Sequence, residues 1–240
     1  MNITNIMNIV HTYHSELFKY KNKHIGETCY IFGSGPTFNK FKLQEPGIFI
    51  GCNHIIKNNY IKNNIKYYFF GHGYTIHTSN SSSIYDNHKN EVDTLGNHVE
   101  KFCMVSRDND LTIHNFTEDS IKKLKDINAI PCDINLTKIY KDIHNKPFLN
   151  HSIVFPAIQF ALYSGFSKIY IVGCDCNLYD SGINRKYFFN DNTENNKIDN
   201  GFIKWWKDIY AFKNNIFPNT QIISINPVGL KNIMDLDIYT

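Results

Sequence analysis

The stretch Ser152 to Cys176, SIVFPAIQFALYSGFSKIYIVGCDC, decides the reading of the fold. Val154, Ala157, Ile158, Ala161 and Leu162 recur at helical spacing, and Gly165 supplies a stop. Lys168 to Val172 then reads as a strand that ends in Gly173. Helix, glycine and strand in that order make half of a parallel βαβ unit. Asp175 falls just past the carboxyl end of the strand, where open α/β sheets bind their ligands.

Similar apolar runs recur on either side of this unit. Cys29 to Phe32 reads as a buried strand running into the turn Gly33-Ser34-Gly35-Pro36. Gly47 to Cys52 is a second strand, ending at Asn53. Tyr67 to Phe70 is a third, ending in Gly71-His72-Gly73. Lys101 to Ser106 and Thr220 to Ile225 read as further strands. Phe202 to Phe212 reads as a helix with Trp205, Trp206, Ile209 and Phe212 near one side, a pattern that suits core packing better than a sugar platform. The tail to Thr240 reads as a short helix and an end segment. Ile113 to Pro147 shows no clean periodicity and reads as an inserted subdomain. The polar stretches Thr75 to Asn97 and Tyr179 to Asn200 read as loops or lids. The expected fold is one Rossmann-like α/β domain over residues 1–240. It would have a mostly parallel sheet, flanking helices and a small lid or inserted segment, with lid or loop regions at 74–97 and 179–200.

Composition fits that fold and excludes others. The 240 residues are 42% hydrophobic and 15% aromatic, enough for a sizeable core and against intrinsic disorder. The net charge of +3 comes from scattered lysines without a dense basic tract, which argues against a nucleic-acid partner. The only arginines are Arg107 and Arg185, and each reads as either a surface residue or a clamp for phosphate or carboxylate. Six dispersed cysteines do not make a disulfide scaffold. Cys174 and Cys176 read as buried thiols at a strand end rather than as metal ligands. No apolar run is long enough to span a bilayer, and Met1 to His14 lacks the pattern of a secretion signal. The expected location is the cytoplasm, with peripheral contact at the inner face of the membrane left open. Homo-oligomerisation is left open as well.

The chemistry-bearing residues sit at the strand ends. Glycines at 33 and 35 let the chain turn sharply, either to bring backbone amides to a phosphate or simply to make a tight turn. No Gly-Lys-Ser/Thr follows, so the turn is not a P-loop. Asn53 can hydrogen-bond a ribose, base or sugar hydroxyl. His72, between two glycines, reads either as a ligand-facing base or as a core histidine. Asp175 can orient a ribose, bind a divalent ion or cap the next turn. In a parallel sheet these ends share one edge, so the residues converge.

Four segments carry a resemblance: IFGSGPT (Ile31 to Thr37), GCNH (Gly51 to His54), HSIVFPAIQFALYSGFSKIYIVGCDCNLYD (His151 to Asp180) and ISINPVGLKNI (Ile223 to Ile233). Together they resemble the bacterial sialyltransferase family typified by Campylobacter lipooligosaccharide enzymes. They also resemble a broader group that includes 6-hydroxymethylpterin pyrophosphokinases and proteins of polysaccharide gene clusters. The resemblance implies a Rossmann-type sheet with a lid, a CMP-activated sugar as donor, and a histidine base with no essential metal. By resemblance, the turn Gly33, Ser34, Gly35 and Pro36 would meet the nucleotide phosphate, and Asn53 and Ser152 would contact the nucleotide. Tyr187 would match a lid tyrosine that steadies the leaving phosphate. The chain departs from the family at Ser34, where the family has asparagine, and at Asn177, where it has tyrosine. It has no histidine beyond His151, so the family's late base has no counterpart. His72, His151 or the carboxylate of Asp175 would take that role.

The leading expectation is a glycosyltransferase of surface-polysaccharide or lipooligosaccharide synthesis. It would move a sugar from a nucleotide-activated donor to a glycan or glycolipid acceptor, without a cofactor. One alternative is a Mg2+-dependent diphosphotransferase that uses ATP and a small alcohol, with the metal near Asp175. Another is a nucleotide-binding protein without catalysis.

Overall fold

The computed structural model describes residues 3–71, 90–106, 118–176, 188–189 and 200–240. His72, Arg107, Asp180, Arg185, Tyr187 and Asp191 lie outside the described residues, as does most of both expected lid regions. Among the described residues, nine strands form one sheet: β1 (Thr28–Phe32), β2 (Ile48–Cys52), β3 (Ile65–Gly71), β4 (Glu100–Ser106), β5 (Ala129–Asn135), β6 (Phe148–Leu149), β7 (Lys168–Val172), β8 (Gln221–Ile225) and β9 (Leu236–Ile238). Their order is β6-β5-β4-β3-β2-β1-β7-β8-β9. Every neighbouring pair is parallel. The helices include α1 (Ile3–Ser15), α2 (Asn59–Asn64), α3 (Glu118–Asp126), α4 (Val154–Tyr163) and α5 (Asn200–Ile216), with short 3-10 segments after α1, β1 and β2. This is the α/β Rossmann-like architecture that the strand–helix alternation implies.

Parallel strands must be covered on both faces, and the period-2 alternation of their side chains supplies two cores. Cys29, Ile31, Ile50, Tyr67, Phe69, Phe102, Ile169 and Ile171 pack on one face with α4 and with Trp206 and Ile209 of α5. Tyr30, Phe32, Phe49, Tyr68, Phe70, Tyr170 and Val172 pack on the other with Ile61 of α2 and Ile121 and Leu124 of α3. Directly paired strand positions stack their rings: Tyr30 on Tyr170 at 4.6 Å and Phe69 on Phe102 at 4.7 Å. Such pairs add to sheet stability beyond the area they bury.

The helix in the deciding stretch is more central than its amphipathic spacing suggests, because all ten of its residues are buried. Pro156 lies in its first turn, where the missing amide costs least. Gln159 joins α4 to β6: its amide nitrogen donates to Leu149 O at 2.9 Å, and its oxygen accepts from Leu149 N at 3.1 Å. A two-residue strand is held this way by a side chain as well as by its neighbour.

Two expectations are corrected. Within the stretch read as an inserted subdomain, Glu118 to Asn135 form α3 and β5, and β5 continues the main sheet between β4 and β6. Pro131 and Asp133 hide that strand, since neither favours a sheet interior. Asp133 is nevertheless buried. Its amide donates to Nδ1 of His14 at 3.1 Å, so α1 covers a donor that the short β6 does not reach. The tail is also no helix. Leu236–Ile238 pair in parallel with β8 as the ninth strand. Among the described residues, no helix is long and apolar enough to cross a membrane.

Candidate functional site at the β1/β7 crevice

The strand order reverses between β1 and β7. From β1 the chain builds outward through β2 and β3, whereas β7, β8 and β9 lie on its other side. A crevice opens outside the carboxyl ends at such a point. A cavity of about 200 Å³ lies there. Its walls come from the turn after β1 (Gly33, Ser34, Gly35), the end of β2 (Cys52, Asn53), the start of α4 (Ser152 to Val154), the segment after β7 (Gly173 to Cys176), and Phe202 and Trp206 of α5.

The glycines are required by the meeting of two strand tips. Gly33 N donates to Val172 O and Gly35 N to Gly173 O, both at 2.8 Å. A Cβ on Gly33 would stand 2.6 Å from Gly173 O, and one on Gly173, whose φ is +65°, would stand 2.7 Å from Gly33 O. Gly35 is crowded further, since its Cβ would lie 2.5 Å from the carboxylate of Asp175. Of the two readings of the turn, a phosphate loop or a plain tight turn, the hydrogen bonds favour the second, because most of its amides are taken. Thr37 N donates to Asp175 Oδ2 at 2.9 Å and Phe38 N to Gly35 O at 3.1 Å, while Pro36 has no N–H. Ser34 N–H is the one amide of the turn without an acceptor among the described residues.

Asp175 is 5% exposed, and Thr37 donates to it through both amide and hydroxyl. Burial pushes its pKa up, partly offset by those two bonds. Gly229 N donates to its backbone oxygen at 2.8 Å. The side chain thus locks the turn after β1 to the segment after β7. Among the described walls, Asp175 is the one carboxylate, and both of its oxygens already accept hydrogen bonds from Thr37. Among the described residues, no group of three His, Cys, Asp or Glu is placed to hold a metal ion.

Asn53 reaches the cavity from a left-handed conformation, φ +47°, which asparagine tolerates better than most residues. Its carbonyl accepts from Tyr68 Oη at 2.7 Å, which holds the turn. Ser152 lines the opposite wall. His151 precedes it and stacks on Trp205 with ring centroids 3.7 Å apart. Its Nε2 donates to Leu136 O at 2.8 Å, which leaves Nδ1 as the basic nitrogen. Gly71, the residue before His72, has its backbone next to Ile153 of the cavity wall.

The structure also brings in residues that the strand-end reading did not assign to a ligand. The thiols of Cys52, Cys174 and Cys176 line the cavity, and burial raises the pKa of each. Phe202 and Trp206 come from a helix read only as core. Phe188 and Phe189 lie against the same rim: Phe188 N donates to Ser34 O at 2.9 Å, and Phe189 packs edge-on against His54. The only sequence signal for these was aromatic residues inside a polar stretch.

No protein-family model and no curated sequence matches the chain. Solved structures do resemble it. A tyrosine-to-phenylalanine variant of the sialyltransferase Cst-II with CMP shares 15% identity over 82% of this chain and 80% of that one, at a TM-score of 0.46. CstII from Campylobacter jejuni with CMP shares 17% identity at a TM-score of 0.44, over 83% of this chain and 80% of that one. The same enzyme with CMP-3FNeuAc shares 17% at 0.46, over 82% and 80%.

Proposed function

We propose that the chain is a glycosyltransferase that takes a sugar from a nucleotide-activated donor, a CMP-sugar before others, and transfers it to a glycan or glycolipid acceptor. The observation that carries this reading is the cavity at the β1/β7 reversal, the place where doubly wound sheets bind nucleotides. The four segments that resemble the bacterial sialyltransferases support it, because three of them supply cavity walls: Ile31 to Thr37, Gly51 to His54 and His151 to Asp180.

In this reading Asn53 and Ser152 hold the nucleotide, and the turn Gly33 to Pro36 shapes the floor beneath it. The acceptor hydroxyl attacks the anomeric carbon, a base takes its proton, and the nucleoside monophosphate departs. His72 and His151 are the candidate bases. His72 follows Gly71 beside the cavity wall, and His151 offers Nδ1 as its basic nitrogen. Tyr187, one residue before Phe188, steadies the departing phosphate. The location that goes with this reading is the cytoplasm, with contact at the inner face of the membrane where the acceptor is a glycolipid.

The test is a donor screen. CMP-, UDP- and GDP-sugars and ATP are assayed for binding and then for transfer or hydrolysis, with and without EDTA. CMP-sugar turnover that survives EDTA supports the proposal; ATP turnover abolished by EDTA overturns it. Tight binding without turnover of any donor assigns the protein to nucleotide binding alone.

A further inference from the structure

Two walls of the cavity have neighbours that meet. Ser152, just before α4, lines it from one side, and Phe202 and Trp206 of α5 line it from another. The residue before Ser152 is His151, and the residue before Trp206 is Trp205. These two stack face to face, with ring centroids 3.7 Å apart and planes 22° from parallel. Their contact joins the start of α4 to α5 within one residue of each wall.

The imidazole is also held in its plane. Nε2 lies 2.8 Å from Leu136 O, and a ring nitrogen facing a carbonyl must carry the proton. The loop bearing that carbonyl is fixed by Asn135, whose Oδ1 accepts from Thr137 N at 2.9 Å and from Lys138 N at 2.7 Å. Asn135 O accepts from Asn150 N at 3.0 Å, which ties the approach to His151 to the same loop. Nδ1 keeps its lone pair. It has no partner among the described residues and is not shut off from solvent.

A base that takes a proton becomes a cation, and its surroundings must stabilise the charge. The indole face of Trp205 does so by cation–π attraction, and Leu136 O does so through its bond to Nε2–H. A peptide oxygen and an indole thus stand where a catalytic triad has a carboxylate to orient its histidine. We infer that His151 is the base of the transfer step, acting through Nδ1, and that Trp205 is the positioning residue that holds its ring. The inference rests on the transferase reading and goes further, choosing between the two histidines and adding Trp205. In the step, Nδ1 takes the proton of the acceptor hydroxyl as that oxygen bonds to the anomeric carbon. The bond from this carbon to the phosphate oxygen breaks, and its electron pair leaves with the nucleoside monophosphate. The proton passes from Nδ1 to solvent afterwards.

The test has a kinetic and a spectroscopic arm, both on the full chain. Nucleotide release is measured with the CMP-, UDP- or GDP-sugar that the wild type turns over. His151→Gln keeps a donor for Leu136 O and removes the basic nitrogen. It is expected to lower kcat about a hundredfold or more with the donor KM unchanged. Trp205→Leu is expected to lower kcat about tenfold at the same KM, and Trp205→Phe, which keeps an aromatic face, to recover most of that loss. His72→Gln is expected to keep most of the turnover. The base role is overturned if His151→Gln keeps most of the turnover, or if His72→Gln loses more than His151→Gln does. The positioning role is overturned if Trp205→Leu raises the donor KM as far as it lowers kcat, or if Trp205→Phe recovers nothing.

In the ¹⁵N-labelled protein the ring nitrogens of His151 are identified by their loss in His151→Gln. The neutral ring is expected to be the Nε2–H form, and Trp205→Leu to mix the two tautomers. An Nδ1–H form in the wild type, or an unchanged pattern in Trp205→Leu, overturns the positioning role without any need for turnover. Should Trp205→Leu fail to fold, the wild-type tautomer and Trp205→Phe decide. A wild type that turns over no donor sinks the transferase reading and the base role with it, while the ring spectrum still decides the positioning. Turnover that survives His151→Gln sinks the base role alone.

Discussion

A methyl group on Gly35 would sit 2.5 Å from the Asp175 carboxylate and 2.7 Å from Gly173 O. Neither neighbour is free to move, because Thr37 holds the one and the tip of β7 is the other. Gly35→Ala is therefore expected to cost about 1–3 kcal/mol, the usual penalty of overpacking. Urea unfolding measures it, and a loss below a few tenths would mean the turn relaxes. Asp175→Ala leaves the buried amide of Thr37 without its acceptor, at a cost of about 1–3 kcal/mol. Thr37→Val removes the hydroxyl from the same pair. The double variant should lose clearly less than the sum of the singles, since both act on one interaction. Strict additivity would show that the two residues do not work together. The glycines were legible as a turn in the sequence. That they serve the contact of two strand tips was not, because the second tip, Gly173, lies far along the chain.

At the scale of elements, the edge beyond β4 depends on side chains from helices. His14 of α1 accepts the Asp133 amide at Nδ1, and its Nε2 lies against Ile143 O and, at 2.9 Å, Lys146 O. A neutral ring suits this pattern, with Nε2 carrying the proton. Burial holds the His14 pKa below its ordinary 6.5, against the raising effect of the carbonyls. His24, stacked on Phe166 at 4.5 Å, is lowered by burial as well. A histidine pKa depressed in the folded state stabilises the fold above the unfolded value of about 6.5. That stabilisation is lost as pH falls below it toward the lowered folded value. Thermal stability should thus fall as pH drops from neutral through 6.5 and below, and His14→Gln should flatten part of that slope. An unchanged slope would remove His14 from the account. Gln159→Leu, which keeps the volume but loses the bonds to Leu149, should cost about 1–3 kcal/mol because it leaves buried backbone groups of β6 unpaired.

At the scale of the molecule, the cavity is built from pieces far apart in the chain: β1 and β2 near its start, α4 and β7 past its middle, and α5 beyond them. A ligand there joins these pieces and binds only the folded chain. A nucleotide supplied at one hundred times its dissociation constant should raise stability by about 2.7 kcal/mol. Thermal shift in the presence of CMP reads this directly, and Gly33→Val, with its side chain directed at Gly173 O, should abolish the shift. A shift of equal size in that variant would place the ligand elsewhere.

Strands β1, β2, β3, β4, β7 and β8 are legible in the sequence, because strands buried on both faces are continuous apolar runs bounded by glycine, asparagine or polar residues. So is α4, whose apolar spacing and closing glycine need no partner to be recognised, and so are the strand ends where Asn53 and Asp175 stand. The sequence alone thus determines a parallel α/β fold and the sheet edge at which the cavity opens. Tertiary structure decides the rest. It makes β5 a strand despite Pro131, because α1 and His14 cover the backbone that Pro131 and a short neighbour leave exposed. It makes the tail a strand because β8 has an open edge. It spends the amides of the glycine turn on β7 and Asp175, and it carries the Trp206 indole into the cavity wall. Local spacing states which backbone groups a segment offers, but only the packed neighbours determine which of those groups remain for a ligand.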